Sequence, residues 1–214
     1  MKFVLPKLHL LVLTDAKAND DDYRKFIHVV NGHAVVQNGI AAVVNLRDYI
    51  KKECETEDDE DFKELTEILS WMEGKSFDHK FWKELTDKNF VSFHGDGLQI
   101  ENLKFNNILV YEDIETDNKA MFESLFNALT TIPSIVDRIA VSGPSFDKLN
   151  TVFKKEMKVD NFVFDFCGKE KSFKFQAQRQ SYIFGLIPVD YNAACELTAF
   201  LDVNSFASGL KEFL

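Results

Sequence analysis

Several groups of side chains in this sequence have the type and spacing to do chemistry. The most regular are lysines on two helix-patterned stretches. Lys75, Lys80, Lys83 and Lys88 accompany SFDHKFWKELTD, and Lys148, Lys154, Lys155 and Lys158 accompany SFDKLNTVFKKEMK. Phe77, Phe81, Trp82 and Leu85 keep helical spacing in the first, as do Phe146, Leu149, Val152 and Phe153 in the second. Each helix is therefore expected to be apolar inside and basic outside. An ammonium row of this kind attracts anions, but it is also the ordinary solvated face of an amphipathic helix. Asp78, Glu84, Asp87, Asp147 and Glu156 dilute both faces.

His94 and Asp96, in the turn HGD, stand near Glu101 and read either as an acid–base pair or as exposed polar residues on adjacent strands. His28 and His33 flank another turn and are open to metal, acid–base or packing roles. The run from Glu53 to Asp61 is nearly all carboxylate but lacks the DxDxDG order that wraps calcium, so it reads as a solvated helix start. No GxxxxGK[ST], GxSxG or HExxH occurs, and Gly143-Pro144 before a helix is not a phosphate loop. Neither catalysis, a metal nor a cofactor is signalled.

Cys54, Cys167 and Cys195 are odd in number and widely spaced, without CxxC or Cys–His pairing, which suits a reducing, cytoplasmic setting. A net charge of −10 argues against a chain whose whole surface binds nucleic acid, so any polyanion contact must be local. No apolar run is as long as a membrane span. LHLLVL before Ala16–Ala18 faintly resembles a secretory leader; the plainer reading is a first strand, KLHLLVL, ended by Thr14-Asp15.

The elements that must position these groups are legible in outline. YRKFIHVV, HAVVQNG and IAAVVNLRDYI, separated by Asn31-Gly32 and Asn38-Gly39, predict a three-strand meander. Phe62, Leu65, Ile68, Leu69 and Met72 predict a helix ended by Gly74. The first lysine-bearing helix is followed by three strands, NFVSFHGD, GLQIENL and KFNNILVY. A connector helix in ETDNKAMFESLFNALTTIP stops before Pro133, and RIAVSG reads as a short buried strand. Ser145 can cap the second lysine-bearing helix, which is again followed by three strands, NFVFDFCG, KSFKFQAQ and YIFGLIPV. The tail holds a helix at 193–201 and an apolar terminus, Leu210, Phe213 and Leu214, which either docks a partner or covers its own sheet. The fold class expected is α+β, with repeated α-βββ units, antiparallel sheets and helices on one face. Its halves are 1–113, with an acidic helical insertion, and 114–214. The like openings KSFDHKFWKEL and PSFDKLNTVFKKE fit either two copies of one unit or a coincidence of a common order.

YRKFIHVVNGHAVVQNGIAAVVNL and KSFDHKFWKELTDKNFVSFHGDGLQIENLKFNNILVYED together resemble, in order and spacing, a domain of the bacterial DNA polymerase sliding clamp. RIAVSGPSFDKLNTVFKKEMKVDNFVFDFCGKEKSFKFQAQRQSYIFGLIPV resembles a further clamp half-domain, its close similar to the family's apolar stretch before Met-Pro. The likeness covers roughly the middle three quarters of the chain. VVQNGIAAV stands where the family commonly has the turn ATDGHRL; Gly39 matches it, and the Asp, His and Arg do not. The chain is short for a full clamp of three domains and resembles the compact clamps of phages and mobile elements.

The resemblance implies helices lining the inside of a ring with sheets outside. Lys75, Lys80, Lys83, Lys88, Lys148, Lys154, Lys155 and Lys158 would then meet the backbone of double-stranded DNA without reading bases. It implies a non-enzymatic replication accessory or processivity module, a homo-oligomer closed head to tail, and a polymerase or clamp loader as further partners. The alternative is a non-catalytic protein-interaction module that keeps the scaffold without encircling DNA, since a shared fold does not carry function by itself.

Overall fold

A computed structural model describes residues 10–53, 56, 58–86, 90–94, 97–102, 107–111, 118–130, 141–157, 162–168, 173–177 and 180–187. In chain order, β1 (Ile27–Val30), β2 (His33–Gln37) and β3 (Ala41–Asn45) are followed by the helices α1 (Leu46–Glu53) and α2 (Glu60–Met72). Next come β4 (Ser76–Phe77), α3 (His79–Thr86), β5 (Phe90–His94), β6 (Gly97–Asn102) and β7 (Asn107–Val110). The connector helix α4 (Lys119–Thr130) precedes α5 (Gly143–Met157), β8 (Phe162–Asp165), β9 (Phe173–Ala177) and β10 (Gln180–Ile187). Helices and wholly antiparallel pairing make the class α+β, as the sequence pattern implies.

The meander forms where two turn pairs punctuate the apolar runs. Asn31 and Gly32 both take positive φ, 50° and 70°, the geometry that joins β1 to β2 without splaying their twist. The Glu73 carboxylate fastens this tip from beyond α2, accepting the backbone N–H groups of Asn31 and Gly32. α2 buries the five residues picked out by their spacing, with Asp59 capping its start and Gly74 (φ 76°) leaving its end.

Other local expectations need correction. Leu10–Leu13 is not strand but a buried 3-10 turn, closed where the Thr14 hydroxyl donates to the Leu11 carbonyl. The run IAAVVNLRDYI breaks at Asn45, whose side chain accepts the Asp48 N–H at 3.0 Å and so starts α1. Ser76 and Phe77 do not belong to α3: they pair with His28 and Ile27 of β1, and Asp78 caps the helix instead, accepting the Phe81 N–H at 2.7 Å. α5 starts earlier than Ser145; Ser142 is its cap, and Gly143-Pro144 open the helix, where a missing N–H costs nothing. The C-terminal tail and the RIAVS part of RIAVSG fall largely outside the described residues, leaving only Val141 and Ser142 of the latter.

Seven strands form one sheet in the order β4-β1-β2-β3-β10-β9-β8, and β5-β6-β7 form a second. The β3–β10 ladder, with Val44 opposite Ile183, carries the larger sheet across the joint expected between residues 113 and 114. Side chains alternate across it with the period-two pleat. Ile27, Val29, Ala34, Val36, Ala42 and Val44 face a large core shared with α1, α2, α3, α5 and Leu10–Leu13. Val35, Ala41 and Val43 face the other way, against Leu125 of α4, so the helices do not all lie on one face as expected: the outward side of the meander is apolar too and needs its own cover.

Candidate nucleic-acid interface

The two lysine-bearing helices are built alike. Phe81, Trp82 and Leu85 bury the inner arc of α3, and Leu149, Val152 and Phe153 bury that of α5. Each helix lies on the sheet containing the three strands that follow it: α3 packs on β6, where Leu98 and Ile100 are buried, and α5 packs on β10. Both also pack on the Leu10–Leu13 turn, so their inner arcs belong to one continuous core.

Turned away from that core, Lys80 and Lys83 of α3 and Lys148 and Lys154 of α5 are exposed. At about 100° of helix rotation per residue, Lys80 and Lys83 lie on one strip, and Lys148 and Lys154 stand about 120° apart on the outer arc. Lys75 is placed differently. It precedes β4, is half-buried, donates to the Trp71 carbonyl, and holds its ammonium 4.6 Å from the centroid of the Trp71 ring. That cation–π contact must be given up before Lys75 can meet a phosphate. Lys155 belongs to α5, but its side chain is outside the described set, and Lys88 and Lys158 lie outside the described residues. Of the diluting acids, Asp78 is committed to capping α3, while Asp147 is exposed on α5.

His94 and Glu101 belong to the paired strands β5 and β6, and Asp96 lies outside the described residues. His33 is held at the surface by the Asn31 carbonyl. No group of three or more His, Cys, Asp or Glu side chains among the described residues is arranged to hold a metal. An open depression of about 450 Å³ lies between Asn19, Asp21, Asp22, Tyr23, Arg24 and Ala120. Its one guanidinium is already paired: Arg24 grips Asp22 at 2.5 Å, holding the Asp22 carboxyl below the usual carboxylate range against the opposing effect of burial.

One polar constellation was not anticipated from spacing. His28 Nδ1 lies 2.8 Å from Ser76 Oγ, and His28 Nε2 lies 2.8 Å from the Tyr23 carbonyl. Asn118 Nδ2 approaches the same hydroxyl at 3.4 Å. Residues 28, 76 and 118 share no local motif: the β1–β4 pairing brings His28 to Ser76, and the packing of α4 brings Asn118 to the same hydroxyl. A hydroxyl beside an imidazole is the pairing of an activated nucleophile. Here, however, His28 is 1% and Ser76 3% exposed, with rings of Phe26 and Phe122 packed edgewise on the imidazole, so a substrate has no approach.

No protein-family model matches the chain, and no curated protein matches it in sequence. No helix among the described residues is long and apolar enough to cross a membrane.

Proposed function

We propose that the chain is a non-catalytic DNA-tethering module on a clamp-like scaffold, a replication accessory that holds double-stranded DNA by its phosphates. One observation carries the reading: two similarly built helices share a core through Leu10–Leu13 and leave Lys80, Lys83, Lys148 and Lys154 exposed. Contacts of this kind supply charge without sequence selectivity, and a locally basic face can do so on a body of net charge −10. The helix-then-three-strand order occurring twice supports the clamp-like repeat. In this reading the working form is a homo-oligomer closed head to tail, served by a polymerase or loader.

The test is binding of a labelled mixed-sequence duplex across a salt series, with the mass in solution measured alongside. The expected result is sequence-independent binding whose log affinity falls linearly with log salt, by about 0.9 per phosphate contact. The quadruple reversal K80E/K83E/K148E/K154E should abolish it while leaving the circular dichroism unchanged. Binding that ignores salt, or that survives the reversal, overturns the reading.

A protein-interaction module that does not encircle DNA is favoured by a different observation. β8 is the last strand of the larger sheet, and Val163 and Phe164 within it and Phe166 just beyond it are 42%, 40% and 38% exposed. Apolar surface of this kind is common at protein contacts. A partner held there responds little to salt and is lost on F164S/F166S rather than on lysine reversal.

A further inference from the structure

His28 ties four parts of the chain together, and the tie depends on where its proton sits. A carbonyl oxygen only accepts, so Nε2 carries the hydrogen that goes to Tyr23. Nδ1 is therefore the acceptor, taking the Ser76 hydroxyl proton, while Ser76 Oγ takes a hydrogen from Asn118. The Tyr111 hydroxyl adds a fourth link, donating to the Ser76 carbonyl at 3.1 Å. β4 itself is only two residues long, held by the pairs Ile27 with Phe77 and His28 with Ser76. Side-chain fastening thus adds to the backbone bonds of Val29 with Lys75 and of Gly74 with Val29 in keeping this edge strand in place.

We propose that His28 is an acid-sensitive latch: neutral, it fastens β4, the Tyr23–Lys25 turn and the start of α4 to β1, and on taking up a proton it releases β4 and the α3 helix that follows.

A second ring proton would face the Ser76 hydroxyl proton across a 2.8 Å gap, so the hydroxyl must turn its own proton away, accept from Nδ1 instead, and give up Nδ1 as the acceptor that holds it in the neutral state. The new positive charge would also lie buried, and a buried charge with no anion opposite it is costly even where its N–H groups are hydrogen-bonded. Among the described residues, the groups against the ring are Phe26, Val35 of β2, Ser76, Asn118, Phe122 and the Tyr23 carbonyl, none of them charged. The charges on the same elements are at or near the surface: Asp22 with Arg24, Lys25 with Asp20, Lys75 over Trp71, and Lys119 and Glu123 on the outer side of α4. Burial accordingly pushes His28 below the ordinary imidazole range, partly offset by its bond to the Tyr23 carbonyl.

The sign follows by linkage. An unfolded histidine takes its proton near pH of about 6.5, and His28 in place resists it. The unfolded form then binds more protons as pH falls below that point, and stability is lost. Phe77 carries the effect onward, because its ring lies 5.6 Å from Phe81 on α3 and 4.9 Å from Tyr111. The latch does not depend on the DNA reading, since it acts on β4 and α3 whatever their lysines bind.

The experiment compares urea midpoints of the wild type and H28Q between pH 7.5 and 5.5, together with histidine ring NMR and amide exchange on the wild type. H28Q keeps hydrogen-bonding atoms but cannot take a proton in this range. The wild-type midpoint should fall further than that of H28Q. The His28 ring should stay neutral through the range in which an unfolded histidine takes its proton, and its eventual protonation should coincide with lost protection at the amides of Val29 and Gly74, which donate to the Lys75 and Val29 carbonyls. Equal midpoint shifts, or a His28 ring that takes up its proton while those amides stay protected, overturn the proposal. If H28Q does not fold, the wild-type NMR decides alone.

Discussion

The unit of α3 with β5–β7 and the unit of α5 with β8–β10 have the same chain order, yet α3 packs on the second of its strands and α5 on the third, and their sheets end differently. β5–β7 remain a three-stranded sheet, whereas β10 pairs with β3 and merges its unit with the meander. Their helix starts differ too. Asp78 holds the Phe81 N–H at 2.7 Å, while exposed Ser142 reaches the Ser145 N–H only at 3.4 Å. Local pattern sets the order of elements inside each unit; what each sheet edge meets is decided by chain far away.

The hardest challenge to this comparison is to the common core. Trp82→Ala and Phe153→Ala each remove a fully buried ring and should each cost about 3–5 kcal/mol. Because both rings lie in one cluster, each variant should still unfold in a single transition, coincident by circular dichroism and tryptophan fluorescence. Two separated transitions would mean the units stand independently.

Next in size is the division of phosphate contacts. In the tethering reading K80E/K83E and K148E/K154E should each lower the salt slope of duplex binding by about 2, so the two helices count equally. A loss confined to one pair would assign the interface to one helix. The smallest effects sharpen the contrast in capping. D78A should cost about 1 kcal/mol and S142A only a few tenths, read from urea midpoints, since the longer, solvent-exposed contact is the weaker one.

Elements set by short-range chemistry were legible in the amino-acid sequence. Asn31-Gly32 announced the hairpin, the spacing from Phe62 to Met72 announced α2, and the paired turn residues announced β1–β3. Leu10–Leu13 was not, because a short apolar run has no periodicity to distinguish strand from turn. Ser76-Phe77 looked helical for the same reason that Phe81 and Trp82 are helical; the pairing with β1 overrode it. At the candidate interface, four lysines read from helical spacing are indeed exposed, but Lys75 could not be separated from them without knowing that Trp71 lies beneath it. The His28–Ser76 pair was invisible because it spans 48 positions of sequence.

The ladder between β3 and β10 also has a consequence for synthesis. Val44 leaves the ribosome roughly 140 residues before Ile183, which at about 5–20 residues per second is a delay of some 7–30 s. Throughout that interval the nascent meander offers an uncapped β3 edge to any neighbouring polypeptide, and closing so distant a contact makes the last stage of folding slow. Yield of native protein should accordingly depend on whether a chaperone shields that edge until β10 emerges.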